Sequence, residues 1–197
     1  MASVRYPLEA FVADAEQLIT SANDVAEILN RGSTLLERFI ASPDCLPEAF
    51  RRPKGSGANP NHGSYLLSRA APGGEGLTVT AVVWGPGDHA GPHDHHTWGL
   101  IGLVENTIQE TRFRRLDDGQ RPEYALLEQD RVDIVQPGQV SVLTPGVDEI
   151  HQMDNPSDRV TVEVHVYGRD LAGLERCRFD PATGKVTWPP PASGVET

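Results

Sequence analysis

Four of the seven histidines of this chain fall within eight consecutive residues: His89, His93, His95 and His96. At the centre is the triplet His93-Asp94-His95. On a β-strand, positions two apart share a face, so the two imidazoles would project side by side as adjacent ligands of one metal ion. His151 follows a Pro145-Gly146 turn and offers a third nitrogen from a second strand. Three neutral imidazoles leave about half of an octahedral coordination sphere open. An open site does chemistry, whereas a closed one holds structure. His89 and His96 fit no ligand register; they are expected beside the site or exposed.

Such ligands need strands to aim them, and the pattern supplies them. Residues 7–41 read as helical, with Leu8, Phe11, Val12, Ala15, Leu18 and Ile19 at helical spacing. Asn23-Asp24 marks a second helical segment, and Ser33 or Thr34 a cap for a third. Residues 51–63, rich in Pro, Gly and Asn, read as a loop. Beyond it the hydrophobic period becomes two. Short strands are expected over 65–67, 77–84, 98–104, 108–114, 124–127, 132–135, 140–143 and 160–167. Turns at Gly85-Pro-Gly, Asp117-Asp-Gly, Pro137-Gly and Pro145-Gly separate several of them. Many short strands of this kind predict a mainly β sandwich or barrel. The run Pro189-Pro-Pro191 is expected to be extended and to lead into a disordered tail. A single domain over 1–197 is expected, with a helical segment over 1–56 and a β core with C-terminal extension over 57–190.

In 160–167 the alternation is complete. Val160, Val162, Val164 and Val166 share one face; Thr161, Glu163, His165 and Tyr167 share the other. On pattern alone the polar face would be solvated.

Composition excludes more than it selects. A formal net charge of −11 argues against a nucleic-acid backbone or an anionic membrane as partner. No apolar run approaches the ~18 residues of a membrane span, and a cytoplasmic, soluble protein is expected. Cys45 and Cys177 form no metal-binding or redox spacing and are expected to be reduced and buried. The chain carries no sign of its oligomeric state.

Gly87, five residues, then His93 and His95 match the first motif of the cupins, and Pro145-Gly146, His151 and Asn155 resemble the second. The resemblance implies a cupin jelly-roll barrel with an N-terminal helical layer. The glutamate usual four or five residues after the second histidine is replaced by Gly99 and Leu100. Three histidines without a carboxylate, the sequence Trp98-Gly-Leu-Ile-Gly102, the WGPG at 84–87 and the VHVYG at 164–168 resemble the thiol dioxygenases. Within these the chain looks like cysteine dioxygenase and, more closely, the bacterial 3-mercaptopropionate dioxygenases.

That resemblance covers about residues 65–179. It implies an iron(II) enzyme that adds both atoms of O2 to a small carboxylate-bearing thiol. His93, His95 and His151 match the iron ligands. Tyr167 matches the active-site tyrosine, and His165 the histidine bonded to it; the resemblance thereby reverses the pattern-only reading of 160–167 and implies that its polar face, Glu163 included, lies inside the barrel. Arg176 matches the arginine that holds the substrate carboxylate in the mercaptopropionate branch. Gly99 falls where the mammalian enzymes carry a cysteine cross-linked to the tyrosine, so no cross-link is expected. Two positions depart. Glu163 replaces the serine of the family's relay, and Ser64 stands at the arginine or glutamine position. The smaller Ser64, beside His62, implies room for a longer or branched acid such as mercaptosuccinate. Trp84 and Trp98 are expected in the core.

Overall fold

The computed structural model describes residues 5–55, 61–69, 74–172 and 174–189. Two helices lead the chain. The first, α1 (Leu8–Ser21), turns Phe11, Ala15 and Leu18 inward at helical spacing. The second, α2 (Val25–Ile40), is capped by Asp24, whose carboxylate accepts from the Glu27 N–H at 2.8 Å. Glu27 returns the bond by accepting from the Asn23 N–H at 3.0 Å. The third helical segment expected from Ser33 is not separate. The Ser33 hydroxyl bonds back to the Leu29 carbonyl at 2.7 Å, so it is absorbed inside α2 instead of capping a new helix.

Eleven strands follow among the described residues, in two antiparallel sheets. They are β1 (His62–Arg69), β2 (Glu75–Trp84), β3 (His89–His93), β4 (Gly99–Glu105), β5 (Ile108–Arg115), β6 (Leu127–Val135), β7 (Val140–Leu143), β8 (His151–Asp154), β9 (Thr161–Arg169), β10 (Arg178–Asp180) and β11 (Lys185–Thr187). One sheet has the order β1-β2-β9-β4-β7 and the other β11-β10-β3-β8-β5-β6. The result is the expected mainly β architecture with a helical layer, built as a sandwich of two sheets.

The helices cover the outer face of the five-stranded sheet. Phe11 and Phe39 stack at 4.7 Å, and Leu36 is fully buried over the valine face of β9. Each such side chain contributes about 1.5–3 kcal/mol by burial. Gly32 permits the close approach: a Cβ there would lie 2.9 Å from Leu100 Cδ1. Val82, Trp84, Leu103, Ile108, Val135 and Met153 fill part of the space between the sheets. β9 is therefore covered on both sides. Its polar face, Thr161, Glu163, His165 and Tyr167, is buried inside the sandwich and not solvated.

Several strand readings are corrected. The segment 132–135 is the end of a longer edge strand, β6, that begins at Leu127; of 124–127 only Leu127 belongs to it, and Tyr124 makes an isolated bridge to Lys185. β3 and β8 follow from the histidine spacing but not from the hydrophobic pattern, and β10 and β11 form a further hairpin. The loop read over 51–63 gives way to β1 at His62, and its residues 56–60 lie outside the described ones, as do 190–197 of the tail. Among the described residues no helix is long and apolar enough to cross a membrane.

Candidate metal centre

The two cupin-like motifs are brought together by strand pairing. β3 and β8 run antiparallel with His93 directly opposite His151. His95 is not on the strand: β3 ends at His93, and the third histidine swings in from the loop that follows. Its ring centroid lies 4.8 Å from that of His93 and 5.3 Å from that of His151. The three ligating atoms fall within 4.8 Å of one another, and no carboxylate belongs to the cluster.

Asn155 explains the spacing of the second motif. Its side-chain amide donates to the Trp84, Gly85 and Arg159 carbonyls at 3.0, 3.0 and 2.7 Å. Its backbone exchanges bonds with Gly87 and Asp88. The turn before β3 is thus pinned to the end of β8, and with it the relative placement of His93 and His151.

Each outer nitrogen decides which inner nitrogen is free. His93 Nδ1 lies 2.8 Å from the Gly91 carbonyl, which can only accept, so Nδ1 carries the proton and Nε2 presents a lone pair. His151 Nδ1 lies 2.8 Å from Glu110 Oε1 and is set the same way. His95 Nε2 stands 3.1 Å from His151 Nε2, while His95 Nδ1 is buried without a hydrogen-bond partner among the described residues. Two nitrogens bound cis to one ion at ~2.1 Å would be about 3 Å apart, close to the distance found. Burial, reinforced by the other histidines and by Arg176, pushes His93 and His95 well below the ordinary imidazole range. Burial also lowers His151, against the pull of Glu110. Three neutral nitrogen donors fit a divalent transition metal.

Glu110 is held by more than His151. Its carboxylate pairs with the fully buried Arg112 at 2.9 Å and accepts from the Ser141 hydroxyl at 2.5 Å. Burial alone would raise this carboxyl. The His151 bond, the Arg112 charge and Ser141 outweigh it and bring it down to about 2. Glu110→Gln is expected to weaken metal affinity by roughly 10–100-fold, the usual cost of losing an outer partner of a ligating histidine. Competition against a chelator measures it; unchanged affinity would mean that Glu110 does not govern His151.

A second buried chain meets the first. The Tyr167 hydroxyl lies 2.8 Å from His165 Nδ1, and His165 Nε2 lies 3.0 Å from Glu163 Oε2. The Trp84 indole N–H donates to that same oxygen at 2.6 Å. Glu163 thus stands in a relay with His165 and Tyr167. The Tyr167 ring lies 4.9 Å from that of His95. Burial raises the Tyr167 phenol well above its ordinary value, with the Arg176 charge acting the other way. Gly99 sits opposite Tyr167 in the β4–β9 register. A Cβ there would come within 3.0 Å of the ring, so the glycine lets the tyrosine lie against the sheet.

The three histidines of the triad, His165, Tyr167 and Trp84 border one cavity of about 530 Å³. His62, His89, Arg176 and Arg178 also line it; Ser64 does not. His62 is held by Asp88 at 2.9 Å and packs edge-on against Trp84. Ser64 pairs with Val82 on β1 but stays off the cavity wall, so the extra space expected from its small size is not at that wall. Arg176 makes no side-chain hydrogen bond or ion pair among the described residues, and neither does Arg178. Trp98 packs on the helical side, and its ring leaves no room for a side chain at position 168.

Sequence reasoning missed Glu110, Arg178 and Asp88. Glu110 and Arg112 carried a signal, since charged residues at alternate positions inside a strand that starts with buried Ile108 mark a polar inner face.

No family model matches the sequence. The fold is similar to solved structures of several proteins. An oxalate oxidase in complex with the substrate analogue glycolate is 17% identical, with 58% of this chain covered, 55% of that one and a TM-score of 0.42. Oxalate decarboxylase from Bacillus subtilis is 22% identical over 49% of this chain and 22% of that one, with a TM-score of 0.37. A cupin superfamily protein from Desulfitobacterium hafniense is 11% identical over 59% and 84%, with a TM-score of 0.40. The chain spans about half the length of the oxalate oxidase it matches. None of these likenesses bears on chemistry, which follows from the site's own atoms. Fold and site together define an antiparallel two-sheet sandwich with a helical layer and a candidate three-histidine metal centre.

Proposed function

We propose that the protein is an iron(II)-dependent dioxygenase of a small carboxylate-bearing thiol. It would join both atoms of O2 to the sulfur and release the sulfinate. The observation that carries this reading is one cavity holding a carboxylate-free histidine triad and an unpaired guanidinium, Arg176. The thiol dioxygenase motifs of the sequence support it.

His93, His95 and His151 would hold the iron. When bound, iron(II) supplies an undiminished dipositive charge with open positions, which favours a deprotonated thiol and lets thiol and O2 meet. The chain's own residues do the rest. Arg176 offers a planar fork to the substrate carboxylate. With that end fixed, only thiols of matching length bring sulfur to the histidines. Tyr167 offers its hydroxyl to the reacting oxygen or the carboxylate, and His165 orients it. Val82, Met153 and Leu174 give the cavity apolar wall that limits water. Arg178, two residues from Arg176, suits a second carboxylate better than His62, which Asp88 already engages.

The test is O2 consumption by iron-loaded protein against a panel of thiols. 3-Mercaptopropionate and then mercaptosuccinate are expected to give higher kcat/KM than L-cysteine, whose ammonium finds no dedicated acceptor in this reading. No uptake with any thiol, or metal-dependent turnover of a carboxylic acid lacking one, would overturn the proposal. A clear preference for L-cysteine would overturn the substrate choice.

Arg176→Ala is expected to raise KM for 3-mercaptopropionate by roughly tenfold or more, the equivalent of at least ~1.4 kcal/mol. A thiol without a carboxylate should be nearly indifferent. If both suffer equally, Arg176 does not hold the carboxylate.

A further inference from the structure

The loop that carries His95 has a second set of ligating groups. His93 and His95 meet at the cavity, whereas Asp94 and His96 meet each other and Cys177. Asp94 Oδ2 lies 3.0 Å from His96 Nε2, and Cys177 Sγ lies 3.7 Å from that same nitrogen. All three ligating atoms are within 4.8 Å of one another.

Two simpler readings fit less well. A nucleophilic cysteine relay places the thiol and the carboxylate on different ring nitrogens of the histidine. Here both face Nε2. A plain hydrogen-bonded cluster, in which the His96 N–H and the Cys177 thiol both donate to the Asp94 carboxylate, accounts for two of the contacts but gives no role to the 3.7 Å approach of Cys177 Sγ to the same His96 nitrogen. Oxygen, nitrogen and sulfur converging on a common point is the arrangement of a metal tripod. Around a tetrahedral ion with metal–sulfur near 2.3 Å and metal–nitrogen near 2.0–2.1 Å, neighbouring donors are about 3.3–3.6 Å apart. The distances found bracket that range. The backbone is bent to suit: His96 has φ 51°, in the left-handed region that few residues other than glycine adopt. Asp94 and Cys177 are buried, and the His96 ring is open to solvent along one side, where Trp188 meets it edge-on.

We infer that Asp94, His96 and Cys177 form a second metal site, for a thiophilic divalent cation of the zinc class, with water in the fourth position. The site has a structural consequence. The two segments already touch, through the Cys177 N–H to Asp94 Oδ1 at 2.9 Å and the Asp94 N–H to the Cys177 carbonyl at 3.3 Å. A shared ion would cross-brace them. It would lock the loop bearing His95 to the segment bearing Arg176, and so fix the distance between the triad and the guanidinium. The site stands whether or not the neighbouring triad oxygenates thiols.

Cobalt(II) titration of the metal-stripped full chain tests it. The triad has no thiolate, so a near-ultraviolet thiolate-to-cobalt charge-transfer band reports the second site alone. The parent is expected to bind two equivalents and to show the band. His96→Ala and Cys177→Ala should each bind one equivalent without it, and Cys45→Ala should keep it. His95→Ala should lose the other equivalent and retain the band, which separates failure of the triad from failure of this site. The His96 ring is partly exposed, so its removal leaves folding least disturbed; circular dichroism checks each variant. A single equivalent without the band in the parent, or a band that survives Cys177→Ala, would overturn the proposal.

Discussion

His95→Ala is expected to fold like the parent, to bind no iron and to consume no O2. Among the three ligands this one gives the cleanest test. His93 Nδ1 is tied to Gly91 and His151 Nδ1 to Glu110, so truncating either also orphans a backbone or carboxylate acceptor. His95 Nδ1 has no such partner. Among the described residues the ring's one hydrogen-bond-range contact is from Nε2 to His151 Nε2, the lone pair it would share an ion with. Removing the ring therefore leaves the surrounding hydrogen bonds in place. The loss of metal affinity should exceed the roughly 10–100-fold that follows from removing an outer partner. Metal analysis, O2 uptake and thermal unfolding of the metal-stripped proteins measure the three parts separately. Full iron content in this variant would sink the assignment of the triad.

Tyr167→Phe should lower kcat on the order of a hundredfold, about 2.7 kcal/mol, with iron retained. The substitution keeps the ring against Gly99 and removes only the oxygen that His165 Nδ1 meets at 2.8 Å. Leaving that buried nitrogen unpartnered costs about 1–3 kcal/mol of stability. The readouts must therefore be separated: KM for 3-mercaptopropionate, kcat at saturation and melting temperature. A stability loss with unchanged kcat would mean that Tyr167 packs and orients but does not act on the reacting atoms.

Much of this site was legible because its geometry is local. The two motifs place glycine, histidines and asparagine at fixed intervals, and those intervals are the reach of β3, the following loop and β8. The alternation of 160–167 gave the membership of each face of β9. Which face was dry depended on the helices, whose packing over the valines turns Glu163, His165 and Tyr167 inward. What stayed hidden is long-range. Glu110 lies 41 positions from His151, and Trp84 lies 79 from Glu163. Neither pairing leaves a trace in spacing. The hydrophobic pattern missed β3 because Gly91 and Pro92 interrupt it, and His95 reaches the cluster from a loop that no periodicity describes.

The far end of the Tyr167 relay is shut. Glu163 is fully buried, its Oε1 meets no partner among the described residues, and Trp84 can only donate to it. Of the row Glu163, His165 and Tyr167, only the last two line the cavity. Whatever enters the cavity therefore meets the row at its open end, while the carboxylate at the other end stays walled off behind the histidine.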